Sequence, residues 1–142
     1  QTEPGDEIIA HDGSHILHHE TGAAAALSGV TIRALRGERG RFQVGDVHGG
    51  IQPDDPHCGN SRLLWIENTH NEGGGTVWPL VQLAEVAQAG HELGLRVHLD
   101  GARIWNACTA SGHAPHEFAE HVDTVSCCFS KGLGAPAGSA VG

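Results

Sequence analysis

The sequence predicts an α/β domain, a three-layer α/β/α arrangement around a mostly parallel sheet, and two observations carry this prediction. Short apolar segments bounded by polar or glycine residues alternate along the chain with longer segments of helical periodicity. Strand, helix, strand, helix in this order is typical of helices packed on a parallel sheet. The 142 residues suffice for one domain with its own hydrophobic core.

Five segments are predicted as strands because they are short, apolar and bounded by turn or polar residues. Three are strong predictions and two have weaker patterns, and the final residues, SAVG, also resemble a strand. The strong strands are Leu63–Ile66, Val97–Leu99 and Thr124–Phe129, and the weaker ones are Glu7–Ala10 and Thr31–Leu35.

The clearest helix is predicted over residues 79–94, where apolar residues recur at i, i+3, i+4 and i+7 from Leu80. Pro79 suits the first helical position and Gly94 the C-terminal stop. Further helices are predicted at His18–Leu27, Arg103–Ala110 and His116–His121.

Composition excludes several classes of partner. With 8 basic and 17 acidic residues the net charge is −9, so no basic surface for nucleic acid or anionic membranes is expected. No apolar run approaches the roughly 18–20 residues that span a bilayer. Four cysteines without CxxC spacing, and no signal sequence, indicate a reduced, cytoplasmic chain.

Because the chain begins at Gln1 and lacks methionine, we expect an internal piece of a longer protein.

Polar side chains follow three of the predicted strands at the point where each strand ends. Asn-Thr-His occupies 68–70, Asp100 and Arg103 follow the next strand, and Lys131 follows the third. In open parallel sheets, ligands bind beyond the carboxyl ends of the strands. The sequence therefore predicts a site where these groups converge.

Two chemistries are disfavoured by the motifs. GLGAPAG has the spacing GxGxxxG, and Pro136 within it opposes the helix that a phosphate cradle needs. His15 and His19 are four residues apart, as in zinc helices, but HExxH is absent and no further ligands complete a metal shell. We therefore expect neither nucleotide binding nor a metal.

A lysine and an aspartate at neighbouring strand ends suit pyridoxal phosphate. A lysine amine can hold this aldehyde cofactor as a Schiff base, and an aspartate can keep its pyridine nitrogen protonated. Asp100 and Lys131 would meet these needs. By residue type alone, Asp100 could equally cap the following helix and Lys131 could be a solvated strand end.

Several stretches closely resemble the low-specificity L-threonine aldolases, which are pyridoxal-phosphate enzymes of the aspartate-aminotransferase fold type. The stretches are HDGSHILHHETGAAAALSGV, PDDPHCGNSRLLWIENTHNEGGG, VHLDGARIWNA and CFSKGLGAPAGS, in order and across essentially the whole chain. The resemblance implies that residues 1–142 are the central part of the large, cofactor-binding domain. It also implies that an upstream phosphate-binding segment and a small C-terminal domain lie outside this chain.

The resemblance further implies roles for individual residues. Lys131 would be the Schiff-base lysine, Asp100 would pair with the pyridinium nitrogen, and Arg103 would help to hold cofactor and substrate carboxylate. His15 would stack on the cofactor ring near the substrate hydroxyl. His57 would be a second histidine near that hydroxyl.

Glu20 matches an acidic position of the family, close to His15. After the second histidine the chain departs from the family, with Cys58 and Asn60 in place of an aromatic residue and an arginine. The polarity of that part of the pocket is therefore expected to differ.

The reaction implied is retro-aldol cleavage of L-threonine or L-allo-threonine to glycine and acetaldehyde, in a homotetramer. Two alternatives stay open. One is a related pyridoxal-phosphate β-eliminating lyase, and the other is a truncated, catalytically silent chain.

Overall fold

The computed structural model describes residues 1–142 and contains one six-stranded sheet of order β2-β1-β3-β4-β5-β6. The first five strands pair in parallel and the sixth pairs antiparallel to the fifth, which confirms the mostly parallel sheet. The strands are β1 (Asp6–His11), β2 (Thr31–Leu35), β3 (Asn60–Glu67), β4 (Arg96–Gly101), β5 (Thr124–Cys128) and β6 (Ser139–Val141).

Six helices connect the strands, and none is long and apolar enough to cross a membrane. The three helices predicted in the second half of the chain are confirmed, with ends within two residues of the prediction. The helices are α1 (His15–His18), α2 (Ala23–Ser28), α3 (Val44–Gly50), α4 (Leu80–Glu92), α5 (Ile104–Ser111) and α6 (Pro115–Ala119).

The predicted helix over residues 18–27 is confirmed only in its second half, as α2, because the chain turns in the middle of the predicted range. Thr21 and Gly22 adopt positive φ angles of 52° and 72°, which an α-helix cannot accommodate. Helix α3 was not predicted, since three of its seven residues are glycine. It is stabilised at its start by Asp46, whose carboxylate accepts a hydrogen bond from the Gln43 N–H at 2.7 Å.

One face of the sheet carries the main core. Side chains alternate across a strand, so Leu64, Ile66, Val97 and Leu99 all point to this face, where they are completely buried. Helices α3 to α6 cover them with apolar residues of their own, among them Val47, Leu83, Ile104 and Phe118.

The other face is covered only beside β1, β2 and β3, by α1 and α2. There Ile8, Val30 and Leu63 form a second, small core. The three predicted layers are therefore present at one side of the sheet, while the face of β4 and β5 borders a cleft. This asymmetry creates the candidate site.

Asp123 fixes the relative position of β4 and β5 at their starts. Its carboxylate accepts hydrogen bonds from the Val97 N–H at 2.8 Å, from Arg96 at 2.7 Å and from His91 at 2.9 Å. Burial alone would raise the pKa of Asp123, but these donors outweigh it and lower the pKa to about 2.

We expect Asp123→Ala to lower the free energy of unfolding by about 1–2 kcal/mol, because three donors lose their acceptor. Asp54→Ala, at an exposed carboxylate without such donors, is the control and should be neutral. The contribution of Asp123 is complete above the ordinary aspartate pKa of 3.8 and is lost as the pH falls towards 2. Urea denaturation between pH 7 and pH 2 measures this, and a difference between the variants that persists at pH 2 would contradict it.

Candidate functional site

A cleft of about 610 Å³ lies on the sparsely covered face of the sheet. Trp65, His98 and Asp100 form part of its floor, His15 lies on the wall made by α1 and α2, and Lys131 lies at the rim. The expected convergence of strand ends is thus found for Asp100 and Lys131.

Asp100 is a nearly buried carboxylate with one oxygen available. The residue is 8% exposed, and its Oδ1 accepts hydrogen bonds from the Ala102 N–H at 3.0 Å and Ser126 Oγ at 3.5 Å. Its Oδ2 has no hydrogen-bond partner in the protein. Asp100 does not cap the next helix, because α5 begins at Ile104 with Arg103 as its N-cap. The carboxylate is therefore free to meet a donor from a ligand.

The loop after β5 carries Lys131, the only lysine in the chain, with an exposed side chain. The loop folds back on itself through hydrogen bonds from the Phe129 N–H to the Gly138 carbonyl and from the Ala135 N–H to the Phe129 carbonyl, both 2.9 Å. A side chain at Gly132 would place its Cβ 2.9 Å from Asn106 Oδ1 of α5, so this loop runs close against that helix.

His15 is paired with Glu20 across the turn that ends α1. His15 Nε2 lies 3.0 Å from Glu20 Oε1, with the His15 side chain 34% exposed and that of Glu20 51% exposed. The His15 ring also lies 4.9 Å, centre to centre, from the ring of His19. The structure therefore brings both predicted residues, His15 and Glu20, to the cleft as an acid–base pair.

Glu67 is a buried carboxylate that our sequence analysis did not identify. The residue is 4% exposed, and its two oxygens accept hydrogen bonds from the backbone N–H groups of His15 and Asn71, each at 2.9 Å. The sequence pattern that could have identified Glu67 is the alternation of β3, because Leu63, Trp65 and Glu67 point to one face of the sheet.

Asn68 and His70, which also follow β3, do not line the cleft. Asn68 Oδ1 accepts a hydrogen bond from the Trp78 N–H at 3.2 Å. The His70 ring packs edge-on against His11 at 4.9 Å, and its Nδ1 accepts a hydrogen bond from the Gly73 N–H at 3.0 Å. Burial lowers the pKa of His70 and favours its neutral form. These residues order the loop behind the cleft.

The structure does not bring His57 to the cleft. Its side chain is 92% exposed and bonds only to Asp55 of its own loop, at 2.9 Å. His57 precedes β3, whereas Asp100 and Lys131 lie at the ends of parallel strands, and the two kinds of strand end are at opposite edges of a sheet. Arg103 directly follows Ala102, which lines the cleft, and its guanidinium forms no ion pair.

A sheet with a carboxylate under a cleft at its strand ends and a lysine at the rim defines a class of cofactor-dependent α/β enzymes. The family model of the beta-eliminating lyases matches residues 1–142. The chain belongs to this family.

Relatives within the family are named as threonine aldolases. The chain is 38% identical over 138 residues to the low specificity L-threonine aldolase of Escherichia coli K12, covering 96% of this chain and 40% of that protein. It is 36% identical over 142 residues to the probable low-specificity L-threonine aldolase 2 of Arabidopsis thaliana, covering 98% and 40%. The chain thus spans about two fifths of the length of these relatives.

Solved structures agree with this assignment. The threonine aldolase of Leishmania major has a TM-score of 0.90 at 26% identity, covering 99% of this chain and 41% of that one. A putative L-allo-threonine aldolase of Listeria monocytogenes has a TM-score of 0.80 at 27% identity, covering 95% and 35%. These structural neighbours are fold-type-I pyridoxal-phosphate enzymes, and the mostly parallel six-stranded α/β sheet of this chain matches their fold.

We expect Gly40→Ala to lower the free energy of unfolding by about 3 kcal/mol or more. Gly40 has a φ angle of +89°, and its added Cβ would lie 2.0 Å from Cγ of the buried His70 ring. Gly45→Ala is the matched control, because a Cβ there meets nothing within 4 Å and favours helix α3. Thermal denaturation of both variants is the measurement, and equal melting temperatures would contradict the tight packing around His70.

Proposed function

We propose that the full-length protein cleaves L-threonine or L-allo-threonine to glycine and acetaldehyde, with pyridoxal phosphate as its cofactor. The observation that carries the proposal is the cleft itself, which is lined by a buried Asp100 with a free oxygen, by His15 and by the only lysine of the chain. The resemblance to the threonine aldolases supports the same reaction.

The residues of the cleft fit this cofactor. Asp100 Oδ2 lacks a hydrogen-bond partner and can accept one from a protonated pyridine nitrogen. The Lys131 ammonium has no carboxylate partner, so its amine is available to hold an aldehyde. The floor offers the rings of Trp65 and His98, whose centres are 4.5 Å apart and whose planes are tilted by 43°, and the volume of about 610 Å³ admits a substituted pyridine with an amino acid.

When bound, the cofactor supplies an electron sink for the bond that breaks at the amino-acid α-carbon. Lys131 would hold its aldehyde carbon covalently. Asp100, a carboxylate that is 8% exposed, would keep the proton on the ring nitrogen and so maintain the ring as an electron acceptor. Arg103, free of ion pairs, would draw the substrate carboxylate to the α5 side of the cleft.

His15 would cover the open side of the ring and face the substrate hydroxyl. Loss of the hydroxyl proton is required before the Cα–Cβ bond can break, and an imidazole held by a carboxylate is suited to accept it. Glu20, 3.0 Å from His15 Nε2, would orient the imidazole and stabilise its protonated form. His57 is 92% exposed outside the cleft, and the role implied for it by resemblance stays a prediction.

A second candidate is β-elimination from an amino acid with a leaving group on Cβ, which the family description favours. Lys131 and Asp100 would serve both reactions. An assay with L-threonine separates them, since aldol cleavage yields equal amounts of acetaldehyde and glycine, whereas elimination yields ammonia and a keto acid. Ammonia without acetaldehyde would contradict our proposal.

We also propose that residues 1–142 form the central part of a larger cofactor-binding domain in a cytoplasmic homotetramer. The support for a larger protein is that the matches cover nearly the whole of this chain but only about two fifths of each relative. The homotetramer is what the resemblance to the threonine aldolases implies. Light scattering of the full-length protein at micromolar concentration tests the tetramer, and a monomer mass would contradict it.

We expect Lys131→Ala to lower kcat for threonine cleavage by at least about 10³-fold, because the amine that holds the cofactor is removed. Asp100→Asn should lower kcat by about 10²-fold or more, since the isosteric amide carries no charge to retain the ring proton. Asp54→Asn, at an exposed loop, is the control and should leave kcat unchanged. Coupled reduction of acetaldehyde measures all three rates, and an Asp100→Asn variant with the control's kcat would contradict the role of Asp100.

A further inference from the structure

Helix α1 begins without a cap from its own N-cap residue. It has only four residues, His15–His18, and the Oγ of its N-cap, Ser14, is buried without a hydrogen-bond partner. The first N–H groups of a helix have no partner within the helix and usually bond to a side chain of the N-cap. So short a helix has almost no stability of its own, and its position depends on outside contacts.

Glu67, 52 residues further along the chain, supplies that contact. Its Oε2 accepts a hydrogen bond from the His15 N–H at 2.9 Å, at the positive end of the helix. Its Oε1 accepts another from the Asn71 N–H at 2.9 Å. One buried carboxylate therefore joins the loop after β1 to the loop after β3, with both oxygens occupied.

Glu67 is also linked directly to the floor of the cleft. Its register partner on β4 is Asp100, and the Asn68 N–H donates to the Asp100 carbonyl at 2.9 Å. The backbone that carries Asp100 thus lies beside the carboxylate that anchors His15. The pairing of β3 with β4 therefore helps to set the distance between His15 and Asp100, because Glu67 bonds to the backbone of the first and pairs with the second.

We propose that Glu67 is a positioning residue that fixes His15 in the cleft that Asp100 also lines. The inference rests on the proposed function for the role of His15, but the anchoring itself is a property of the chain. Glu67 acts through two backbone N–H groups and needs no contact with cofactor or substrate.

The test is Glu67→Gln in the full-length protein, with Glu85→Gln as the control. The amide keeps the size of the side chain but replaces one acceptor by an NH2 donor, which opposes a backbone N–H. Glu85 is exposed on α4 and forms no hydrogen bond or ion pair, so its variant removes the same charge without a contact.

The first readout is amide hydrogen exchange of the cofactor-free protein, followed by mass spectrometry. In Glu67→Gln we expect peptides containing His15 and Asn71 to exchange at least about tenfold faster, while those of β4 keep the wild-type rate. Unchanged exchange at both peptides would overturn the anchoring.

The second readout is the bound cofactor. For Glu67→Gln we expect the Kd for pyridoxal phosphate to rise about tenfold, and the visible circular dichroism per bound cofactor to change, because the His15 ring is no longer held in place. In a His15→Ala background the same substitution should change neither by more than about twofold. A lower melting temperature with unchanged circular dichroism would mean a purely structural role and would overturn the proposal.

Two further outcomes are distinguishable. If the wild type binds no pyridoxal phosphate, the proposed function fails, and the exchange experiment still decides the anchoring. If Glu67→Gln does not fold, Glu67→Asp replaces it, since it keeps the charge but is too short to reach both N–H groups. That variant should change exchange and circular dichroism in the same direction, and wild-type values would contradict the proposal.

Discussion

The parallel register of β3, β4 and β5 is the constraint on which the site depends. Glu67 pairs with Asp100, and Asp100 pairs with Ser126, so three polar side chains lie in one row across the sheet. A shift of one residue in either pairing would turn the whole strand over and send Asp100 into the apolar core. The core residues Leu99 and Leu64, on the opposite face, oppose such a shift because both are completely buried.

The two faces of the sheet divide stability from chemistry. The closed face holds the apolar core, whereas the other face holds carboxylates that must be satisfied by hydrogen bonds. Glu67 obtains two backbone donors, and Asp100 obtains Ala102 and Ser126 on one oxygen only. The second oxygen of Asp100 can still accept a hydrogen bond from a ligand. Of these two neighbouring carboxylates, Glu67 therefore holds the backbone and Asp100 is the group that can bind.

Local patterns in the sequence were sufficient for the strands and for the long helix. The strand at Thr31–Leu35 was predicted to the residue, and α4 lies within the predicted 79–94 because its apolar stripe repeats over three turns. The break at Gly22 could not be read from periodicity, since the four alanines that follow it favour helix. Helix α3 depends on tertiary packing of Val47 and has little helix propensity.

For the site, too, the residues at strand ends could be predicted from the sequence, whereas contacts between distant segments could not. Asp100 and Lys131 could be placed near one another from strand order, because carboxyl ends of parallel strands share an edge, whereas His15 was expected there from the resemblance. Glu67 was missed, since its two partners lie 52 and 4 residues away and only the folded backbone brings them together. His57 was expected in the site by resemblance alone. It precedes β3, and the order of motifs along the sequence does not show at which edge of the sheet such a residue lies.

The most direct test of the account is to locate the cofactor chemically. The full-length protein is mixed with pyridoxal phosphate and reduced with borohydride, and the modified peptide is identified by mass spectrometry. We expect a phosphopyridoxyl group on Lys131, in the peptide that contains SKGLGAP. A group attached to a lysine elsewhere in the protein, or no attachment, would contradict it and leave Lys131 as a solvated charge at a strand end.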